Sequence, residues 1–347
     1  MRRSFVIAFT LLLVLPWGAD ALAQEGEAGV SKVATTAAPF LEIPVGARAT
    51  GMGNAFVANA NDVTCLFWNP SFMALLPQGD AVFSHSNWIG DMSFDYAAVA
   101  VPLGDFGAVG LSFTSLSMDD MEVRTVERPE GTGEQFSAGS FAIGIHYARD
   151  LSEWFAIGFT VKYIDERIWH MKATAFALDV GTVFTTNLFN GFRIGATITN
   201  FGTKMQLSGR DTRTFHRIDP NKYGSNDRIP QNIELDSWNL PMSIQFGIAA
   251  DLVKSETVLL TVAADALHPA DNYESVNAGM ELGLFNTFFL RAGAHSLFLV
   301  DGEGGLSAGA GVLADLFGGG LKAYFDYGYT DYGRLSAVHV FAIGLRF

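Results

Sequence analysis

Long stretches of two-residue alternation constrain this chain more than any other feature. Phe155, Ile157, Phe159, Val161 and Tyr163 share one face, opposite Ala156, Gly158, Thr160 and Lys162. Leu321, Ala323, Phe325, Tyr327 and Tyr329 oppose Lys322, Tyr324, Asp326, Gly328 and Thr330. Phe288, Leu290, Ala292 and Ala294 oppose Phe289, Arg291, Gly293 and His295. An extended backbone sends successive side chains to opposite sides, so each run reads as a strand with two unlike faces. The runs last about ten residues, whereas strands of soluble sandwiches average about 5–6. An apolar face opposite a small or polar one, over that length, is what a wall between lipid and a lumen requires.

Fourteen segments carry the pattern: 80–88, 93–103, 107–118, 135–149, 154–166, 172–186, 191–203, 241–253, 256–267, 273–284, 287–299, 304–315, 320–330 and 335–347. Links after even-numbered strands are short, such as Gly104-Asp105-Phe106, Lys254-Ser255 and Phe285-Asn286. Long links follow odd-numbered strands, notably Asp119 to Glu134 and Lys204 to Leu240. That asymmetry separates periplasmic turns from extracellular loops. Hydrophobic residues make up 49% of the chain and charged residues only 17%. Yet beyond the first two dozen residues no apolar run reaches the roughly 20 needed for a helical span. A closed barrel satisfies every strand's backbone inside a bilayer. The expected fold is therefore all-β: a transmembrane antiparallel β-barrel of about fourteen strands, with a short N-terminal helical hatch in its lumen.

The N-terminus divides the remainder. Arg2 and Arg3 precede the apolar run Phe5 to Leu15, and Ala21-Leu22-Ala23 supplies a small-x-small cleavage pattern, so 1–23 reads as a signal peptide. Residues 24–40 are small, polar and unpatterned, a flexible arm. Residues 41–78 form a hatch segment with a single short helix expected within Val45 to Ala58 and turns at Ala60-Asn61-Asp62 and Trp68-Asn69-Pro70. The barrel occupies 79–347. Its last strand places Phe341, Ile343, Leu345 and Phe347 on one face, and the terminal Phe347 resembles the signal that outer-membrane barrels present to their assembly machinery. Outer-membrane lipid is the other expected partner. A formal charge of −14 argues against nucleic acid, whose phosphates need Lys and Arg. The single Cys65 excludes an intrachain disulfide.

Catalytic chemistry is not expected. The seven histidines lack metal-ligand spacing, there is no nucleophile elbow or phosphate loop, and no cofactor is implied. Ser84-His85, near the outer end of the first strand, is the one pairing that suggests a hydrolase, and no acidic partner for it can be named from sequence. His146 and His295 read as hydrogen-bonding wall residues. Charges on the small face should point inward, because a lipid-facing Lys or Arg costs roughly 2–4 kcal/mol near the midplane. Lys162, Asp179, Asp265, Arg291, Lys322 and Asp326 are the candidate lumen charges. Arg48 in the hatch should pair with one of the inward aspartates: Asp179, Asp265 or Asp326. Trp88, Trp154, Trp169, Tyr147, Tyr163, Tyr327 and Tyr329 lie near strand ends, as an interfacial girdle would. The 204–240 link is long for a structureless connection and locally basic, with Arg210, Arg213, Arg217, Lys222 and Arg228 as candidate recognition residues.

The block Gly46-Ala47-Arg48-Ala49-Thr50-Gly51-Met52-Gly53-Asn54-Ala55-Phe56-Val57-Ala58, followed by Asn69-Pro70-Ser71, resembles the PorV/PorQ family, a branch of the larger FadL-type barrels. The resemblance extends over nearly the whole chain; Ser71 departs from the family's usual Ala. It implies a fourteen-stranded barrel whose hatch carries Gly46, Arg48, Gly51, Met52, Gly53, Asn69 and Pro70. It also implies one of two roles. PorV-like members associate with the type IX translocon and handle secreted cargo. FadL-type members admit hydrophobic small molecules such as long-chain fatty acids.

Overall fold

The computed structural model describes residues 32–219, 228–299, 302, 305–316 and 320–347. The leader and most of the N-terminal arm lie outside the described residues. Fourteen antiparallel strands form the wall: β1 (Asp80–Trp88), β2 (Met92–Pro102), β3 (Ala108–Ser117), β4 (Ala138–Ser152), β5 (Phe155–Ile168), β6 (Met171–Thr186), β7 (Phe192–Gly202), β8 (Ser243–Lys254), β9 (Val258–Pro269), β10 (Ser275–Leu284), β11 (Phe288–Leu297), β12 (Leu306–Leu316), β13 (Leu321–Asp331) and β14 (Ala337–Arg346). Each pairs with its sequence neighbour, and β1 closes on β14 with Asp80 opposite Arg346. No sheet edge is left for lipid to meet, as a bilayer demands. No helix among the described residues is long and apolar enough to cross a membrane.

Alternation set these strands. On β8 the inward Gly247, Ala249 and Asp251 are buried, while Phe246, Ile248 and Leu252 are exposed on the outer face. The same apolar outer face runs along β12 through Leu306, Ala308, Ala310 and Val312. Strand limits fall within a few residues of those expected. Links on the rim holding the even-to-odd turns are uniformly short. The opposite rim is mixed: residues 89–91 and 169–170 are tight turns there, so only the links after β3 and β7 are truly long.

Residues 33–79 occupy the lumen. The short helix expected within Val45 to Ala58 is α1 (Ala47–Gly51); a second, α2 (Cys65–Trp68), stands just before the Asn69-Pro70 turn, with 3-10 turns at Pro39–Glu42 and Pro70–Leu75. The left-handed φ of Gly46 (88°) and Gly53 (63°) bounds α1 on both sides, which is why it is a single turn. Phe40, Met52, Phe56, Leu66, Phe72 and Met73 of this segment are buried together as the molecule's apolar core. The wall meets it with inward apolar residues of its own, among them Val82, Phe94, Tyr96, Ile164 and Val340.

Phe347 extends β14. Its N–H donates to the Gly79 carbonyl at 2.8 Å, its ring packs on Gly79, and it is half exposed on the outer face with Leu345. Deleting Phe347 or replacing it with Asp is expected to lower the amount of heat-modifiable barrel in outer-membrane fractions several-fold, and an unchanged level would show the residue to be incidental.

Candidate functional site

The hatch meets the wall at glycines. Cross-strand glycine pairs, set by register, open places where hatch backbone lies against strand backbone: Gly158 with Gly181, Gly195 with Gly247, Gly279 with Gly293, and Gly309 with Gly328. The first pair lies under Asn69 and Pro70, the second under Val57, the third under Met52 and the fourth under Ala47 and Gly51. A Cβ added at Gly279 would lie 2.0 Å from the Met52 carbonyl oxygen. Glycine in these strands therefore marks close backbone approach.

Polar bonds lock the same interface. Arg48 donates through Nε and Nη2 to both carboxylate oxygens of Glu281 on β10, each at 2.7 Å, and through Nη1 to Asp62 at 2.8 Å and to Asn61. This corrects the expected pairing: the wall partner of Arg48 is Glu281, not Asp179, Asp265 or Asp326. Those three are committed elsewhere. Asp326 accepts from Arg291, which also donates to Glu281 at 2.6 Å. Asp179 lies 2.8 Å from the Lys162 ammonium and accepts the Asn200 N–H at 2.7 Å. Asp265 accepts the hatch N–H groups of Phe56 and Val57 at 2.6 and 2.8 Å. So Arg291, Lys162, Asp179, Asp265 and Asp326 all face inward, and Lys322 shares their parity at the short-link rim, partly buried. Burial alone would raise the Asp62 carboxyl, but the Arg48 charge beside it and the Thr64 hydrogen bond hold it below its usual range.

Further ties were not foreseen. Arg193 donates to the Ala58 carbonyl and the Asn59 side chain of the hatch at 3.2 Å and bridges to Asp251 at 2.9 Å. Asp80 accepts from Tyr324 (2.9 Å), the Val63 N–H (3.2 Å) and Arg346 (3.3 Å). Asn69 donates to Val57 and Thr182 carbonyls at 2.9 and 3.1 Å and accepts from the Ser71 hydroxyl at 2.6 Å, so Ser71 performs a bond that Ala could not. Asp80 and Arg193 stand at the first residues of their strands, where alternation alone does not decide which way a side chain turns.

Above the hatch, toward the long-link rim, lies a cavity of about 510 Å³. Phe40, Phe67, Trp68, Trp88 and Leu267 form its apolar lining; Glu42, Asn54, Lys162 and His295 are among its polar groups. Trp88 is therefore a lumen-capping residue, packed edge-on against Tyr332 at 5.5 Å, and not part of a girdle; Trp154 and Trp169 are exposed. Glu42, exposed by surface area, borders the cavity, and partial desolvation together with the charge of Asp271 and a hydrogen bond to it pushes its carboxyl up to about 7. His146 bonds Ser112 and Thr160 across the wall at 2.8 and 2.7 Å. Ser84 and His85 point to opposite faces: Ser84 is buried inward, while His85 meets Asp95 outside at 2.7 Å, so the two do not form a nucleophile–base pair. Among the described residues no cluster of His, Cys, Asp and Glu is arranged to hold a metal.

The 204–240 link is not structureless. Arg213–His216 pairs with Ile229–Asn232 as a hairpin, Ser208–Gly209 extends the sheet beside β6, and Met205 bridges Trp238. Arg210 bonds His170, and Arg213 and Arg228 are exposed on the hairpin or beside it, as is Arg217; Lys222 lies outside the described residues. Exposed Phe215, Ile218 and Trp238 accompany these cations.

The architecture has known relatives among solved structures. A Pseudomonas aeruginosa FadL homologue matches with TM-score 0.52 at 11% identity, covering 88% of this chain and 98% of its own. The Ralstonia pickettii toluene transporter TbuX matches with TM-score 0.52 at 12% identity over 88% and 98% of the two chains. The CymD monoaromatic hydrocarbon channel matches with TM-score 0.55 at 11% identity over 88% and 97%. At such identities these neighbours establish the fold. No curated protein matches the sequence. A family profile described as type IX secretion system protein PorV matches residues 26–217, spanning the arm, the hatch and the wall through β7 into the long link. The chain belongs to that PorV family, as a bacterial outer-membrane barrel of the type IX secretion system.

Proposed function

We propose that this barrel handles exported cargo at its outer rim, as a secretion component that does not conduct cargo through its own lumen. The observation that carries this reading is the hatch, which backs onto wall glycines around the barrel and is bonded to it through Arg48, Asp265, Arg193, Asp80 and Asn69. On this reading a folded or extended polypeptide does not pass such a plug. Cargo contacts then fall to the outer rim, where the 204–240 link carries Arg210 and Arg213 beside exposed Phe215 and Trp238. Arginine beside aromatic surface is the composition of protein-recognition hot spots.

A membrane-embedded neighbour fits the wall as well. On β8 and β12 the outer face stays apolar to the upper end of the strand. On β1, β2, β3 and β14 it turns polar sooner, at His85 and Asn87, Asp95, Ser115 and His339. Polar side chains in a lipid-facing belt are costly unless another protein covers them. The translocon is the partner this notch would suit. A second reading, uptake of hydrophobic small molecules, draws support from the apolar cavity above the hatch.

Replacing Thr212 to Asp236 with a short Gly/Ser linker separates the two. With barrel assembly confirmed by heat-modifiability, the cargo reading expects surface display of secreted proteins to be lost and hydrophobic-solute uptake to be unchanged. Loss of uptake with normal display would favour the second reading, and loss of neither would contradict a recognition role for the link.

A further inference from the structure

Glu42 is the acidic residue on the border of the outer cavity. The cavity's lysine, Lys162, is already committed, 2.8 Å from Asp179 and hydrogen-bonded to Asn200. Glu42, an exposed side chain, borders the same space and is hydrogen-bonded to the buried Asp271, which also accepts from Thr36; among the described residues neither carboxyl forms an ion pair. A second feature is independent of charge. Asn54 lines the cavity, is only 7% exposed, and its Oδ1 accepts no hydrogen bond. A buried acceptor without a donor is destabilising unless something brings the hydrogen. Phe40, Phe67, Trp68 and Trp88 meanwhile offer a largely aromatic wall. The volume of about 510 Å³ lies within the range of small-molecule pockets.

We propose that this cavity binds an amphiphile whose apolar body ends in an ammonium or other N–H donor, received by Asn54 Oδ1 and the Glu42 carboxylate. The apolar body lies against the aromatic wall, and its head replaces the donor that Asn54 lacks. A carboxylate head has the wrong sign, because it would sit beside Glu42 and Asp271 with Lys162 already neutralised. The inference goes beyond the cargo reading and does not rest on it: ligand binding is read on the purified barrel, cargo handling in cells.

Octylammonium, octanol and octanoate share one chain length and differ only in the head group. Titrated calorimetrically into the mature barrel in nanodiscs, with empty nanodiscs subtracted, octylammonium is expected to bind about ten-fold tighter than octanoate, with octanol between them. Glu42→Gln should bring amine and carboxylate to within about three-fold. Asn272→Trp, or Leu267→Trp if the first variant fails to assemble, fills the cavity and should abolish the signal. Octanoate binding as tightly as the amine overturns the proposal, and so does the absence of any saturable amine signal. Heats that survive the tryptophan variant mean partition into lipid and overturn it equally.

Discussion

Arg48→Ala is expected to release the hatch in an otherwise assembled barrel. Arg48 bridges Glu281 on the wall and Asp62 in the hatch, and the three side chains are between 5% and 11% exposed. Removing the cation leaves two carboxylates buried together, with only Arg291 remaining on Glu281. Breaking one side of a buried pair costs about 3–5 kcal/mol. Cys65, the single cysteine, reports the event because it is 0% exposed in the closed hatch. If that cost falls on local opening, maleimide labelling of Cys65 in the folded barrel should accelerate by about 100-fold or more. Channel openings should appear in planar bilayers. Arg48→Lys should restore closure only in part, since an ammonium cannot span both carboxylates as the guanidinium does. Unchanged labelling and conductance in Arg48→Ala would show that Arg48 does not latch the hatch.

Gly293→Ala tests the same closure through sterics. A Cβ there would sit 2.3 Å from the Met52 carbonyl carbon and 2.4 Å from the Gly53 nitrogen, both backbone atoms that no rotamer change can move. The hatch has to shift while the strand, which gains propensity from the substitution, stays paired. The expected outcome is a barrel that remains heat-modifiable, with Cys65 reactive and open-channel current. Gly139→Ala is the control, because its Cβ meets only Leu116 O at an ordinary 3.4 Å and nothing of the hatch. Equal behaviour of the two variants would mean that the glycine seats do not hold the hatch.

The wall was legible because lipid imposes one rule at every outward position of a strand, and alternation from Phe155 or Leu321 records it directly. Inward charges such as Arg291 and Asp326 followed from the same rule. Which carboxylate meets Arg48 did not, because partners across the lumen depend on strand register and barrel stagger. Glu281 nevertheless carried a readable signal: it stands between the outward Met280 and Leu282, so it had to point inward. The cavity was invisible in sequence. Its lining comes from the arm, the hatch and several strand ends, residues distant in the chain and unpatterned locally. The hairpin within the 204–240 link was hidden for a related reason: Arg213–His216 and Ile229–Asn232 are only four residues each, too short for alternation to stand out.

On the proposed reading this barrel serves type IX export from the outer rim while its own lumen stays closed. Cell fractionation of a cargo bearing the C-terminal export signal, in the native organism with this chain deleted, tests it most directly. Cargo is expected to accumulate in the periplasm, and both the wild-type barrel and a variant with its hatch fixed in the lumen by a designed disulfide are expected to restore surface display. Normal display in the deletion strain, or rescue by wild type but not by the hatch-locked barrel, would contradict it.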